Sequence, residues 1–222
     1  MSIPVITIDG PSGAGKGTVS RLLAKKLGWH YLDSGSIYRS LAIGVLNKAL
    51  DVTDVDSIVT EAMEMRLVFE CGEALRVCLA GQDITQQLAL EQVGNTASKI
   101  AVLPEVRQVL LQKQQDFRVL PGLVADGRDM GTVVFPDAQY KVYLTASALK
   151  RAERRYKQLK EKGIDANLSR LTKDIEERDR RDSERAAAPL SIPVDALFID
   201  SSDITIHAVL DKILSIISIE TV

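Results

Sequence analysis

A chain of 222 residues with 45% hydrophobic content carries enough apolar material for one large domain or a packed core with inserted lobes. Its formal net charge of -2 gives no electrostatic basis for nucleic acid or a membrane surface as the main partner. No basic segment leads into a long apolar run at the start, and no run reaches membrane-span length, so a cytoplasmic protein is expected.

Ile3 to Asp9 is a short apolar, β-branched run suited to a buried strand, and Thr18 to Leu27 carries helical spacing in Leu22, Leu23 and Leu27. Between them lies Gly10-Pro11-Ser12-Gly13-Ala14-Gly15-Lys16-Gly17-Thr18, whose spacing fits the Walker A pattern G-x-x-x-x-G-K. Glycines let successive N–H groups turn inward, the helix start adds positive dipole and Lys16 adds a full charge, so the stretch reads as a polyphosphate cradle. The alternative, a glycine turn that binds nothing, loses ground because the flanking strand and helix are both present. The residue after Lys16 is Gly17, with the hydroxyl one later at Thr18, so metal contact by Thr18 is expected to be displaced or carried through water.

Trp29 to Ser34 reads as a second strand running into a helix capped by Asp33 or Ser34, with Ile37, Leu41, Val45 and Ala49 as its apolar stripe. Arg39 falls off that stripe and is either solvated or turned toward a second phosphate. Beyond Asp51 the texture changes. Val55, Ile58, Val59 and Ala62 suggest a short helix, and Arg66 to Cys71 and Ala74 to Leu79 alternate about the turn Gly72-Glu73 as an antiparallel hairpin. Cys71 and Cys78 lack the other ligands a metal pair needs and read as packed, reduced thiols. Helices are predicted over Leu90 to Ile100 and Pro104 to Phe117; from spacing alone, Ser98 and Arg107 near their junction read as surface residues.

Gly122 to Asp126 is a short apolar strand ending in an acid, the outline of a Walker B strand, followed at once by Gly127-Arg128-Asp129. Open α/β sheets place ligands at such carboxyl ends, so Asp126, Arg128 and Asp129 are site candidates. Tyr140 to Leu144 and Ala196 to Ile199 give two further strands, and Thr205 to Ile219 a last helix with Ile206, Val209, Ile213 and Ile216 inward. Between those strands lies a basic helical hairpin. In its first helix Leu149, Ala152, Tyr156 and Leu159 form the predicted buried stripe, leaving Arg151, Arg154 and Arg155 to project elsewhere. Gly163 breaks it, and a second helix is predicted through Ala188, stopped by Pro189. There the stripe Leu168, Leu171, Ile175 continues onto Arg178, Asp182 and Arg185. Inward charges need partners, so these three either pair among themselves or hold a polar ligand.

Gly10 to Thr18, Asp33-Ser34-Gly35-Ser36-Ile37-Tyr38-Arg39, Asp126 to Pro136 and Glu177-Arg178-Asp179-Arg180-Arg181-Asp182 together closely resemble the bacterial cytidylate kinases, members of the nucleoside monophosphate kinases. The resemblance spans essentially the whole chain. It implies a P-loop NTPase fold, a three-layer α/β/α sandwich on a five-stranded parallel sheet, with an inserted α+β monophosphate-binding lobe and a helical lid. Core segments 1–52, 98–146 and 190–222, an insert over about 53–97 and a lid over about 147–189 are expected. The implied reaction is transfer from ATP to CMP or dCMP with Mg²⁺; separately, the absence of a heptad seam makes a monomer the expectation, and the charge balance points to neither nucleic-acid nor membrane partners. Carried over, Gly10 to Thr18 hold ATP; Ser34 and Arg39 lie in the monophosphate site, with Arg39 and Arg128 on its phosphate. Ser98, Arg107, Asp129 and Arg185 look like cytosine contacts, and Arg178 and Asp182 like contacts around ribose and phosphate. Lys16, Arg128, Arg178, Arg151, Arg154 and Arg155 are the expected catalytic charges; Thr18 by its place in the loop and Asp126 by strand-edge geometry, where the resemblance is less specific, are expected toward the metal, both through water. The rival readings are another small-molecule kinase of the same P-loop group, acting on a different monophosphate or a metabolite, and a nucleotide-controlled switch; a guanine-specific switch would carry Asn-Lys-x-Asp, which is absent.

Overall fold

The computed structural model describes residues 3–71, 75–161, 163–184 and 186–218. Within them the predicted strand runs form β1 (Val5–Asp9), β2 (His30–Asp33), β6 (Leu123–Gly127), β7 (Tyr140–Thr145) and β8 (Leu197–Asp200). They make one five-stranded parallel sheet of order β2-β6-β1-β7-β8 with helices on both sides. β1 and β6 are buried along their whole length, which is why both read as apolar runs without alternation. A central β1 between β6 and β7 puts its carboxyl end, and the loop after it, at the middle of the sheet's ligand-bearing edge.

The chain divides into two compact units, Trp29–Leu123 with the start of the chain, and Pro4–Gly28 with Val124 onward. In the first, α2 (Ser34–Asn47) starts at Asp33, whose Oδ1 accepts from the Ser36 N–H at 3.1 Å. Ile37, Leu41 and Val45 are its buried stripe as expected, but the helix stops before Ala49, which sits at φ 49°. The short helix is α3 (Val55–Glu64). β3 (Leu67–Cys71) and β4 (Leu75–Leu79) pair antiparallel with Val68 opposite Cys78, and a two-residue β5 (Gln82–Asp83), too short to carry a pattern, adds a third strand. The expected turn Gly72-Glu73 and the side chain of Cys71 lie outside the described residues, whereas Cys78 is a buried free thiol. α4 (Glu91–Ile100) and α5 (Pro104–Gln115) complete the unit.

In the second unit, α1 (Lys16–Leu27) packs against α8 (Ile206–Ser218). Val209 and Ile213 of α8 are buried, but Ile206 at its first residue is 44% exposed, correcting the predicted inward set. The helical hairpin is α6 (Ala148–Glu161) and α7 (Leu168–Glu184), with Gly163 at φ 72° between them. α7 ends earlier than expected: its Asp182 carbonyl accepts from the Leu190 N–H at 2.8 Å, so the chain has already turned back before Pro189. On α6 Ala152 is buried and Tyr156 and Leu159 are half-buried as expected, but the first member of the predicted stripe is displaced. Leu149 is 51% exposed and Arg151 is 4% exposed, the reverse of the expectation for these two residues, because Arg151 faces the backbone of the Gly10 to Thr18 loop.

Gly10 shows how tightly that loop is seated. At φ 147°, a Cβ built on it would lie 2.0 Å from the Leu144 carbonyl oxygen of β7, a backbone atom that cannot swing away. Gly10→Ala is therefore expected to cost about 3 kcal/mol, from overpacking and backbone strain together, read as a fall in the urea midpoint at unchanged m-value.

Candidate active site

The loop between β1 and α1 leaves the helix start without a side-chain cap: Gly15 at the N-cap is left-handed at φ 96°, and the first turn carries no acid. Uncapped N–H groups, the helix dipole and the buried Lys16 converge there, an arrangement suited to an anion. The Lys16 ammonium donates to the Pro11 carbonyl at 2.9 Å, so the charge is held within the loop by a neutral oxygen that phosphate can replace.

The second element is the segment after β6. Asp126 and Asp129 are each 5% exposed, and Arg128 between them is half-buried. The chain then makes one π-helical turn over Met130–Val134, which sequence periodicity does not signal. Its geometry is set by Asp9, the last residue of β1: Oδ1 accepts from the Met130 N–H and Oδ2 from the Gly131 N–H, both at 2.8 Å. Gly131 is required beside it, since a Cβ there would stand 2.8 Å from Thr7 Oγ1 and 3.1 Å from Pro193 Cγ. Asp9 is wholly buried, and burial pushes its carboxyl up to about 6 against the lowering effect of the two N–H groups. Asp129 raises it further and Lys16 lowers it.

The third element is the helical hairpin. On α7, Leu168, Leu171, Ile175, Arg178 and Asp182 are half-buried while Lys173, Glu177 and Arg181 are exposed, so the charges do continue the apolar face. Asp182 accepts from Arg128 Nε at 2.8 Å, joining α7 to the segment after β6. Asp179 lies on the same face and pairs with Arg151 through both carboxylate oxygens. Arg154 donates to the Ser201 carbonyl at 2.5 Å; Arg155 is exposed. Arg185 lies outside the described residues.

In the other unit, Arg39, Ser98 and Arg107 come together around α2, α4 and α5. Arg39 Nη1 donates to the Leu88 carbonyl at 2.5 Å, and Ser98 Oγ donates to the Gly94 carbonyl at 3.0 Å. A Cβ built on Gly94 would meet Arg39 Nη2 at 3.8 Å. The Arg107 guanidinium stands 5.9 Å from the Tyr38 ring centroid, next in sequence to Arg39. Ser34 is 5% exposed at the first residue of α2. Arg107, read from spacing as a surface residue, is half-buried instead.

Sequence reasoning missed Asp9, Asp179 and Ser201. Asp9 carried the same signal used for Asp126, an acid closing an apolar strand, and Asp179 stands four residues after Ile175 on the charged stripe.

Among the described residues no three His, Cys, Asp or Glu side chains gather as a metal cage. Asp126 offers a buried carboxylate and Thr18 a half-buried hydroxyl, each a hard oxygen donor of the kind that suits a divalent cation retaining most of its waters. Also among the described residues, no helix is long and apolar enough to cross a membrane.

The comparisons with known proteins meet this geometry. A solved structure, TT1252 from Thermus thermophilus, superposes with a TM-score of 0.51 at 16% identity over 100% of both chains, a likeness of fold alone. In sequence, a cytidylate kinase of Methylococcus capsulatus is 55% identical over 216 residues, 97% of each chain. A cytidylate kinase of Aeromonas salmonicida is 54% identical over 213 residues, covering 96% of this chain and 93% of the relative. The family model described as cytidylate kinase matches residues 6–219, which include the phosphate loop, the segment after β6 and the charged face of α7, and the chain accordingly belongs to the cytidylate kinase family.

Proposed function

We propose that this protein transfers the γ-phosphoryl group of ATP to CMP or dCMP, giving ADP and the corresponding diphosphate, with Mg²⁺ as the divalent ion and as a cytoplasmic monomer. Family membership over residues 6–219 carries the reading.

Phosphoryl transfer asks for alignment and charge neutralisation, with little covalent work by the protein. In this proposal the N–H groups from Gly10 to Thr18 and the Lys16 ammonium hold the ATP phosphates. Thr18 and Asp126 hold the metal, both through water; when bound it supplies neutralisation of phosphate charge. Arg128 and Arg178 offset the negative charge of the acceptor and the moving group, and Arg155, exposed on α6, is the lid arginine assigned to the transferring phosphoryl. Ser34 and Arg39 are assigned to the acceptor phosphate and its surroundings, and Asp182 to the ribose and phosphate. The acceptor phosphate is already anionic, so no general base is needed. His30 accordingly has a structural task, its Nε2–H donating to the Leu120 carbonyl at 2.9 Å.

Cytosine selection is assigned to Asp129, Ser98, Arg107 and Arg185, because the base offers an amino donor beside ring-nitrogen and carbonyl acceptors. Asp129→Ala is expected to raise the CMP KM about 100-fold with the ATP KM unchanged; steady-state kinetics with an unchanged CMP KM and kcat would remove Asp129 from the base site. The reaction itself is tested by ADP release across all ribo- and deoxyribonucleoside monophosphates. CMP and dCMP are expected to exceed UMP by about tenfold or more, and a panel in which no acceptor rises above the water background defeats the kinase reading.

A further inference from the structure

Two arginines of α6 hold the outer side of the phosphate loop. Arg151 donates from Nη1 to the Ser12 carbonyl at 3.0 Å and from Nε to the Ala146 carbonyl at 2.8 Å. The same guanidinium is clasped by the Asp179 carboxylate of α7. Arg154 Nη1 lies 3.4 Å from the Ala14 carbonyl, which also accepts from Ser201 Oγ at 3.2 Å; Ser201 in turn accepts from Arg154 through both its hydroxyl and its carbonyl. Arg151 and Ser201 are each only 4% exposed. The fit is close: a Cβ on Gly13 would lie 3.3 Å from Arg151 Cβ.

In a trans peptide the C=O of one residue and the N–H of the next point in opposite directions. Fixing the Ser12 and Ala14 carbonyls toward α6 therefore fixes the N–H groups of Gly13 and Gly15 on the opposite side of the loop. Both glycines are left-handed, at φ 80° and 96°, and glycine resists peptide rotation less than any other residue. Without outside bonds these two peptides would be free to flip and withdraw their N–H groups.

We infer that Arg151, oriented by Asp179, and Arg154, oriented by Ser201, are positioning residues that hold the Ser12 and Ala14 carbonyls outward so that Gly13 and Gly15 present their N–H groups to the ATP phosphates. The inference rests on the kinase reading for its ligand, but its readout is ATP binding, which needs no acceptor. It gives Arg151 and Arg154 a task in the ground state, distinct from neutralising the moving phosphoryl group. Four of the five Arg151 N–H donors are already committed: Nε, one each to Ser12 and Asp179 from Nη1, and one to Asp179 from Nη2.

The test is the ATP dissociation constant of the full chain, by titration calorimetry, for the wild type and for Asp179→Asn, Arg151→Lys and Ser201→Ala. Asp179 bonds to Arg151, and its amide keeps the shape while losing the charge. Asp179→Asn and Arg151→Lys are expected to weaken ATP binding about tenfold and Ser201→Ala about threefold, with the CMP KM within about twofold of wild type. Lysine does not rescue, because one ammonium cannot span the Ala146, Ser12 and Asp179 partners. ATP binding within about twofold of wild type in folded Asp179→Asn and Ser201→Ala overturns the inference, as does a fall in kcat alone, which would place Arg151 on the transferring group. A merely structural pair lowers the Tm without moving the dissociation constant measured below it. Should Arg151→Lys fail to fold, Asp179→Asn carries the test. A wild type that binds ATP but phosphorylates no monophosphate defeats the kinase reading and leaves this one standing.

Discussion

Lys16→Met is expected to lower kcat/KM by about 1,000-fold or more, the largest loss from any single side chain. Lys16 is 7% exposed, and its ammonium donates to a neutral acceptor, the Pro11 carbonyl, at 2.9 Å. A charge kept in so little water interacts strongly with phosphate oxygens, and it needs no reorganisation of solvent when charge shifts toward the leaving group. Methionine retains most of the stem's packing volume and removes only the charge, so the fold is preserved and the Tm changes little. The deficit should fall more on kcat than on ATP affinity, because in the proposed site the loop N–H groups remain to bind the phosphates. Arginine is not a substitute, since its longer planar fork does not fit a position sized for an ammonium. A coupled assay with matched ATP titrations checks this, and a loss below about tenfold would show that Lys16 does not act on the reacting phosphates.

What sequence could and could not reveal follows from where the information is local. The strands at Val5–Asp9 and Leu123–Gly127 are legible because a strand covered on both faces must be apolar throughout, and the loop after β1 because its glycines answer to positive φ. The charged face of α7 is legible too, since helical spacing places Arg178 and Asp182 in line with Leu171 and Ile175. What spacing could not supply is which partner each charge meets. Arg151 reads as an outward charge by composition, yet it is buried because the acceptors Ser12, Ala146 and Asp179 come from three different segments. At the start of α6 those bonds bury Arg151 and leave Leu149 exposed, while Ala152, Tyr156 and Leu159 keep to the apolar pattern. The π-helical turn was invisible because its cause, the Asp9 carboxylate, lies 121 and 122 residues away from the N–H groups that it holds.

That carboxylate supports the second prediction of large effect. Asp9→Asn is expected to leave stability nearly unchanged at pH 7 and to lower kcat/KM for CMP by about 100-fold. Burial raises the Asp9 pKa from 3.8 to about 6, so at pH 7 the folded protein carries the charge at a cost of roughly 3 kcal/mol relative to the neutral acid. The sign is opposite to that of a salt-bridged carboxylate. Below 3.8 the group is protonated in both folded and unfolded chains; as pH rises through about 6 the folded state alone must give up a proton that it holds tightly, and stability is lost. An amide removes that cost, but it offers one acceptor where two N–H groups arrive, leaving one buried donor unmatched at about 1–3 kcal/mol. The two terms nearly cancel, while the geometry does not survive. The turn that begins at Asp129 loses one of its two anchors on β1, and with it the placement of Arg128 and Asp129. Urea unfolding of wild type and variant between pH 4 and 8, with CMP kinetics at pH 7.5, tests both halves. The wild type should gain stability from this group as pH falls from 7 toward 4, and the variant should lose that slope; Asp129 and Lys16, the charged groups that face Asp9, are present in both and cancel in the comparison. A variant with wild-type kinetics would show that the turn keeps its shape without Asp9. A slope unchanged by the substitution would assign the pH dependence to other groups.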